Sequence, residues 1–255
     1  MDDVYDRFSC RLSSLDLVWL NVAAFSDAIH AKGAALDNCW GFIDGTVRPI
    51  ARPSKNQSIM YSGHKRVHCI KFQVQNNFSL YACILALCAL YMQLKSLFPL
   101  QSLVTPNGLI AHLFGPIEGK RHDAFMLSLS GLTPKISRYN QPSGAPYVVY
   151  DDPAYGLMRN ILAPYRGTQL TAQQQLFNKS MSAVRVSVEW TFGKICQYFT
   201  YVDLKRNNKV LLQPIGKYYA VAALLTNCHT CMYGSMISTF FNVDPPSLES
   251  YLLNL

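Results

Sequence analysis

The chain has 255 residues, with 23 Lys and Arg against 15 Asp and Glu, a net charge of +8 and a pI near 9.1. This length allows one large domain and excludes a fold too small to bury its own core. The positive charge favours a polyanionic partner such as nucleic acid, and a basic protein without such a partner is the alternative.

The eight cysteines are scattered, mostly inside apolar runs, and no opening stretch resembles a signal peptide. This usage indicates a reducing compartment. Cys228 and Cys231 have the spacing of half a zinc site, but no second ligand pair stands at a plausible distance. Because they fall on an apolar helix, we assign them a structural role.

The secondary structure is predicted from hydrophobic periodicity and turn residues. Residues 1–38 are predicted to be a helical lead-in, in which we find no helix-turn-helix, zinc finger or basic arm. One catalytic domain is predicted over 39–250. Its strands are predicted at 39–44, 47–50, 67–73, 102–114 and 146–150, with a hairpin turn at Pro106-Asn-Gly108, and its helices at about 153–161, 180–199 and 213–233.

Residues 74–101 differ from the rest of the chain, with one charge in 28 residues and an apolar centre at 80–92. That centre is shorter than the ~20 residues that a membrane helix needs, so we predict no membrane span. Removing the segment joins Lys71-Phe-Gln73 to the next strand and restores one continuous strand. The first and last codons, for Val and Gln, are compatible with the GT and AG ends of an intron, and 28 codons preserve the frame. We therefore expect a retained intron, with a genuine apolar insertion as the alternative.

Three carboxylates have the arrangement of a metal-dependent, phosphodiester-cleaving site. Asp44 and Asp152 each end a short apolar run that is predicted to be a buried strand, and Glu189 lies on an amphipathic helix. Two Mg²⁺ or Mn²⁺ ions about 3.5–4 Å apart can activate a water or 3′-hydroxyl and stabilise the leaving oxygen. Asp44 is predicted to bridge the two ions, while the other two acids each complete one site.

Each acid also has a purely structural explanation. Asp44 could begin a turn, and Asp152 could cap a helix. Glu189 could be the ion-pair partner of Arg185, one helical turn earlier. Asp151 could point inward in place of Asp152. The three acids taken together, in this order, favour the metal site.

The order of strands and acids indicates an α/β domain. The first acid ends the first predicted strand, the second ends a later strand, and the third lies on a helix that follows. This order resembles the ribonuclease H architecture, a mixed sheet flanked by helices.

Other residues are candidates for supporting roles. His122 and Asp123 could line the metal cleft or position the scissile strand, although Asp123 could instead cap the following helix. Two basic clusters could contact DNA phosphates, although charged runs are usually solvated faces. The first cluster is His64, Lys65 and Arg66, and the second is Lys205, Arg206 and Lys209.

A series of short stretches stands in a distinctive order: Trp40-Gly-Phe-Ile-Asp-Gly-Thr-Val-Arg-Pro49, Tyr61-Ser-Gly-His-Lys-Arg-Val-His68, Pro106-Asn-Gly-Leu-Ile110, Gly115-Pro-Ile-Glu-Gly-Lys-Arg-His-Asp123, Asp152-Pro-Ala-Tyr155, Phe177-Asn178 and Arg185-Val-Ser-Val-Glu-Trp-Thr-Phe-Gly193. The series resembles the catalytic domain of PIF/Harbinger transposases and of the Harbinger transposase-derived nucleases of animals. The resemblance implies a ribonuclease H-like fold, with Asp44, Asp152 and Glu189 as a DDE triad. It also implies two Mg²⁺ or Mn²⁺ ions and cut-and-paste chemistry on DNA.

The resemblance further implies a separate Myb-like DNA-binding protein as partner. We expect a nuclear location, with some protein in the cytoplasm, and a homo-oligomer is compatible with this function. Two features depart from the family: Asp151 stands where a Gly is usual, and the helix-turn-helix region common upstream is missing. The leading function is a metal-dependent DNA endonuclease. The alternative is a domesticated or decayed module that binds DNA or a Myb-like protein without cutting.

Overall fold

The computed structural model describes residues 1–17, 19–46, 48–49, 61–62, 67–72, 100–118, 123–151, 158–203 and 214–253. For residues 46, 48–49, 61–62, 67–72, 100–101, 116–118 and 123 the description covers the backbone alone.

A five-stranded mixed sheet forms the centre of the fold, with the spatial order β6-β5-β1-β8-β9. Strand β1 pairs antiparallel with β5 and parallel with β8, β5 pairs antiparallel with β6, and β8 pairs parallel with β9. A smaller sheet has the order β2-β4-β3, and β7 also pairs with β4. The strands are β1 Cys39–Thr46, β2 Arg48–Pro49, β3 Tyr61–Ser62, β4 Val67–Phe72, β5 Leu100–Val104, β6 Ile110–Phe114, β7 Pro116–Glu118, β8 Val148–Tyr150 and β9 Ile161–Leu162.

Helices cover both faces of the central sheet. In the described part of the chain they are α1 Asp2–Phe8, α2 Val22–Ala31, α3 Asp123–Ser130, α4 Leu132–Ile136, α5 Ala172–Tyr198, α6 Ile215–Tyr233, α7 Met236–Phe241 and α8 Leu248–Leu253. A mixed sheet with the first acid on its central strand and helices on both sides is the ribonuclease H-like α/β architecture, so the predicted fold class is confirmed.

The alternation of side chains along the strands produces two hydrophobic cores. On one face, Phe42 and Tyr150 pack with residues of α5 and α6. On the other face, Ile43 and Val149 pack with Phe25 of α2 and with residues of α3 and α4. Because successive side chains of a strand point to opposite faces, each polar residue at a strand end can be assigned to one core or the other.

The turn between β5 and β6 is the predicted hairpin. The Asn107 Oδ1 accepts hydrogen bonds from the Thr105 hydroxyl (2.7 Å) and the Leu109 N–H (3.3 Å), which close the turn from inside. Gly108 has φ +80°, and a Cβ there would lie 2.0 Å from the Ser235 Oγ, so both backbone conformation and space require glycine.

Strand β6 is an edge strand of the central sheet, and Asn227 of α6 hydrogen-bonds to its backbone. The Asn227 side chain accepts from the Ile110 N–H and donates to the Ile110 carbonyl, both at 2.9 Å. It also donates to the buried Tyr251 hydroxyl at 2.9 Å. One buried amide therefore satisfies both backbone groups of an edge-strand residue.

Two helix predictions need correction. Helix α5 begins at Ala172, earlier than predicted, where Thr171 and Gln174 form a reciprocal capping box. The predicted helix at 153–161 is wrong for its described residues, because Met158 pairs with Ile161 across a turn and Ile161 enters β9. Pairing with β8 satisfies the backbone there; residues 152–157 lie outside the described part.

Candidate active site

Asp44 lies near the end of the central strand β1, on the face covered by α5. Phe42 precedes it by two residues and packs in the core formed with α5 and α6, so alternation directs the Asp44 carboxylate to the same side. The Asp44 side chain is 18% exposed.

Arg185 of α5 provides a positive charge for Asp44. The Arg185 Nη1 lies 3.4 Å from the Asp44 Oδ1, and the Arg185 side chain is 22% exposed. This separation is longer than the 2.7–2.9 Å of a strong charge-assisted hydrogen bond, and only one guanidinium nitrogen takes part. The pair is loose but largely buried, so solvent screens it weakly.

Glu189 lies one turn after Arg185 on α5 and is exposed. Arg185 forms its described ion pair with Asp44 and not with Glu189, contrary to the purely structural interpretation of that acid. The rotation of the helix is set on both sides, because Val188 is fully buried and the Trp190 ring packs edge-on against Phe240 at 5.6 Å. Glu189 therefore stands one helical turn from the arginine that contacts Asp44.

Strand β8 lies beside β1 and leads to the second pair of acids. Phe42 pairs with Tyr150, and Asp151 follows directly. Asp151 is buried, and its N–H donates to the Leu162 carbonyl at 2.9 Å, so it continues the pairing with β9. By alternation its side chain shares the sheet face of Val149, opposite to the face of Asp44. Asp152 lies outside the described residues.

The remaining predicted site residues stand at or beyond the limits of the described chain. Asp123 is the first residue of α3, described by its backbone alone. The others, His122, His64, Lys65 and Arg66, lie outside the described residues. Both interpretations of Asp123, a cleft residue and a helix cap, are compatible with its position at a helix start.

The donor set suits a hard divalent cation. Asp44 and Glu189 offer carboxylate oxygens, which Mg²⁺ and Mn²⁺ prefer, and the Arg185 contact shows that the Asp44 environment favours a cation. Among the described side chains, no group of three His, Cys, Asp or Glu residues is close enough to hold a metal ion. Cys228 and Cys231, in particular, are half-buried free thiols on α6, and burial raises the pKa of Cys231 to about 12.

Asn178 anchors the loop that precedes α5, through a contact that the sequence patterns did not predict. Asn178 of α5 accepts from the Tyr165 N–H at 2.9 Å and donates to the Tyr165 carbonyl at 3.0 Å. The Tyr165 ring packs edge-on against Phe177 at 5.3 Å, and Phe177 packs against Tyr150 at 6.2 Å. Phe177-Asn178 was recognised as a motif, but a contact over 13 residues is set by the tertiary fold.

No helix in the described part of the chain is long and apolar enough to cross a membrane.

Comparison with known proteins identifies one family. The family model described as DDE superfamily endonuclease matches residues 88–227, more than half of the chain. The match includes Asp152 and Glu189, and it begins at residue 88, after Asp44. No curated protein and no solved structure matches the chain. With this match, and with a ribonuclease H-like sheet carrying acids at its centre, the chain belongs to the DDE superfamily endonuclease family.

Proposed function

We propose that this protein is a DNA endonuclease of the PIF/Harbinger type that acts through two Mg²⁺ or Mn²⁺ ions. The observation that carries the proposal is Asp44 at the end of the central strand, paired with Arg185 one turn before Glu189, in a chain of the DDE endonuclease family. The ordered motifs from Trp40 to Gly193 support the Harbinger assignment.

Asp44, Asp152 and Glu189 would hold the ions. When bound, the ions would activate a water or a DNA 3′-hydroxyl as the nucleophile and neutralise charge on the leaving oxygen. The chain's own part would be positional: β1 would present Asp44, and α5 would present Glu189, as ligands of the ions. The buried core beneath both elements keeps that geometry fixed.

Asp152 is the better candidate for the second acid than Asp151. The side chain of Asp151 shares the face of Val149, and continued alternation would bring the side chain of the next residue to the opposite face, which is that of Asp44. The parallel register agrees, because Asp152 follows Tyr150 by two residues just as Asp44 follows its partner Phe42.

Several further assignments belong to the same proposal. His122 and Asp123 would orient the acids or the scissile strand. His64, Lys65 and Arg66 would contact DNA phosphates. A Myb-like protein would assist target recognition, and the protein would act in the nucleus; co-precipitation and fluorescence microscopy test these two points.

Nicking of supercoiled plasmid tests the function. Both the full chain and the chain without residues 74–101 are incubated with Mn²⁺ beside Asp44→Asn and Glu189→Gln. Glu249→Gln, at the exposed start of α8, is the matched control. We expect nicking by wild type and control, none by the two acid variants, and DNA binding by all. Nicking that survives Asp44→Asn, or absence of nicking by folded wild-type protein in both forms, contradicts the proposal and favours the binding-only alternative.

A further inference from the structure

The loop between β9 and α5 carries exposed basic and aromatic side chains, and hydrogen bonds from side chains of α5 hold its backbone in place. Tyr165 is 50% exposed, and Arg166 and Lys179 are exposed on either side of the contact between the loop and the helix. Between Asp152 and Glu189 the chain contains no acidic residue and four basic ones, of which Arg185 pairs with Asp44.

The anchoring is built from side-chain hydrogen bonds to the backbone. Asn178 bonds both backbone groups of Tyr165, as described above, and Gln175 Nε2 donates to the Leu170 carbonyl at 2.9 Å. Thr171 and Gln174 cap the helix that follows. An irregular loop that would otherwise be costly to order is therefore held in place before any partner binds.

The loop is also tied to the strand that leads to the second acid. The Phe177 ring packs against both the Tyr165 ring and the Tyr150 ring, and Tyr150 is the last residue of β8. Strand β9, which precedes the loop, pairs with the same strand. The position of the exposed Tyr165 and Arg166 is thus fixed relative to the end of β8.

From this geometry we infer that Tyr165, Arg166 and Lys179 form a docking surface for the phosphate backbone of duplex DNA beside the active site. The inference rests on the proposed function for its partner. The Arg166 guanidinium and the Lys179 ammonium would each neutralise a phosphate, and the Tyr165 hydroxyl would donate a hydrogen bond to a phosphate oxygen. Asn178 is the positioning residue, because it acts only through the backbone of Tyr165.

Anisotropy of a labelled DNA duplex, titrated with the full chain in EDTA over a range of salt, tests the surface without catalysis. Arg166→Gln combined with Lys179→Gln should weaken binding roughly tenfold and reduce the slope of log affinity against log salt by about 2. The charge-matched control is Arg7→Gln combined with Arg138→Gln, at exposed positions on α1 and after α4, and it should change binding little.

Two further variants separate geometry from charge. Tyr165→Phe keeps the ring contact with Phe177 and loses only the hydroxyl, so affinity should fall with an unchanged salt slope. Asn178→Ala removes no charge but should also weaken binding, since it frees the loop. Equal affinity of the double variant and its control would overturn the inference while wild-type nicking leaves the endonuclease proposal intact. Absence of both duplex binding and nicking by wild type would overturn both.

A second inference comes from the pairing register around residues 74–101. Strand β2 begins two residues after the end of β1, and both pair antiparallel with a partner. Thr46 pairs with Leu100 of β5, so an uninterrupted partner strand would place residue 98 opposite Arg48. Arg48 instead pairs with Ile70 of β4, and 98 − 70 = 28.

The offset equals the length of the apolar segment, which is 28 residues. Without that segment Ser102 would follow Gln73. Residues 72 and 73 would then lie opposite Thr46 and Gly45, which in this structure pair with Leu100 and Gln101. The register then runs without a break from Pro49 back to Phe42. We infer that β4 and β5 are two parts of one strand, and that residues 74–101 interrupt it beside Asp44.

On the other side of the joined strand, the pairing of β4 with β7 and of β5 with β6 gives the same offset to within one residue. Phe72 pairs with Pro116 and Gln101 pairs with Phe114, so joining the two parts leaves only Gly115 without an opposite residue. Gly115 has φ +152°, a conformation that suits a bulge.

Two deletions test the interruption. Removal of residues 74–101 should give a folded protein with a higher midpoint of thermal unfolding than the full chain. Removal of only 75–101 leaves one extra residue, which would direct alternate side chains to the wrong face, and should give a less stable protein. Equal stability of the two deletions, or failure of the first to fold, would overturn the inference. Sequencing of transcripts then decides between a retained intron and an inserted segment.

Discussion

Replacing Arg185 with Gln tests how the structure holds Asp44 in place. The substitution keeps a long polar side chain on α5 but removes the charge that lies 3.4 Å from the Asp44 Oδ1. Arg138→Gln is the matched control, because Arg138 pairs with Asp16 at 2.9 Å, with side chains 50% and 70% exposed.

The expected loss of unfolding free energy in each variant depends more on the burial of its ion pair than on the distance between the charges. Two charges 3.4 Å apart attract by about 5 kcal/mol at an effective dielectric constant of 20, although desolvation offsets part of this. Since both side chains are about four-fifths buried, we expect Arg185→Gln to lower the free energy of unfolding by about 2 kcal/mol. The exposed Arg138 pair, although shorter, should contribute about 0.5 kcal/mol or less.

Urea unfolding at pH 7, with and without Mn²⁺, measures both effects. In the wild type a metal ion at Asp44 must compete with the guanidinium, whereas in Arg185→Gln it need not. Mn²⁺ should therefore stabilise the variant by about 1 kcal/mol more than the wild type. Equal destabilisation by Arg185→Gln and Arg138→Gln, or equal stabilisation of wild type and Arg185→Gln by Mn²⁺, would show that Arg185 does not hold Asp44 in this way.

Three stability predictions concern the sheet itself. Asn227→Leu should lower the free energy of unfolding in urea by about 4 kcal/mol, because it leaves both backbone groups of Ile110 buried without partners; a loss below about 1 kcal/mol would contradict this. Gly108→Ala should reduce the thermal midpoint, since the new Cβ would meet the Ser235 Oγ at 2.0 Å in a backbone with φ +80°, and an unchanged midpoint would show that the turn relaxes. Burial lowers the pKa of His112 to about 3, against an ordinary value of 6.5. The unfolded chain therefore binds this proton first, and stability present above pH 6.5 is lost by up to about 1.4 kcal/mol per unit as pH falls toward 3; His112→Leu should remove that slope, and identical pH profiles would contradict the prediction.

Local patterns predicted the parts of the fold that local forces determine. The apolar run before Asp44 gave β1, and Pro106-Asn-Gly108 gave the hairpin, because alternation and turn chemistry act over a few residues. The early start of α5 was missed because its first turn is polar and shows no apolar stripe, so only the capping pair marked it.

Contacts between distant residues could not be predicted from these patterns. From the sequence, Arg185 could pair with Glu189, one helical turn away. Only the packing of α5 on β1 brings it to Asp44, which is 141 residues away in the chain. In the sequence Asn227 is a polar residue on a mostly apolar helix. In the structure its side chain bonds both backbone groups of Ile110, which is 117 residues away. Such partners depend on which surfaces meet in three dimensions, and side-chain types alone do not specify them.

We propose that Asp152 completes a metal-dependent catalytic triad with Asp44 and Glu189. Mn²⁺-dependent plasmid nicking by Asp152→Asn and Asp151→Asn, measured side by side with and without residues 74–101, tests this assignment. Asp152→Asn should lower the rate about a thousandfold or more, while Asp151→Asn should retain nicking. Wild-type nicking by Asp152→Asn, or loss of nicking only in Asp151→Asn, would show that the assignment is wrong.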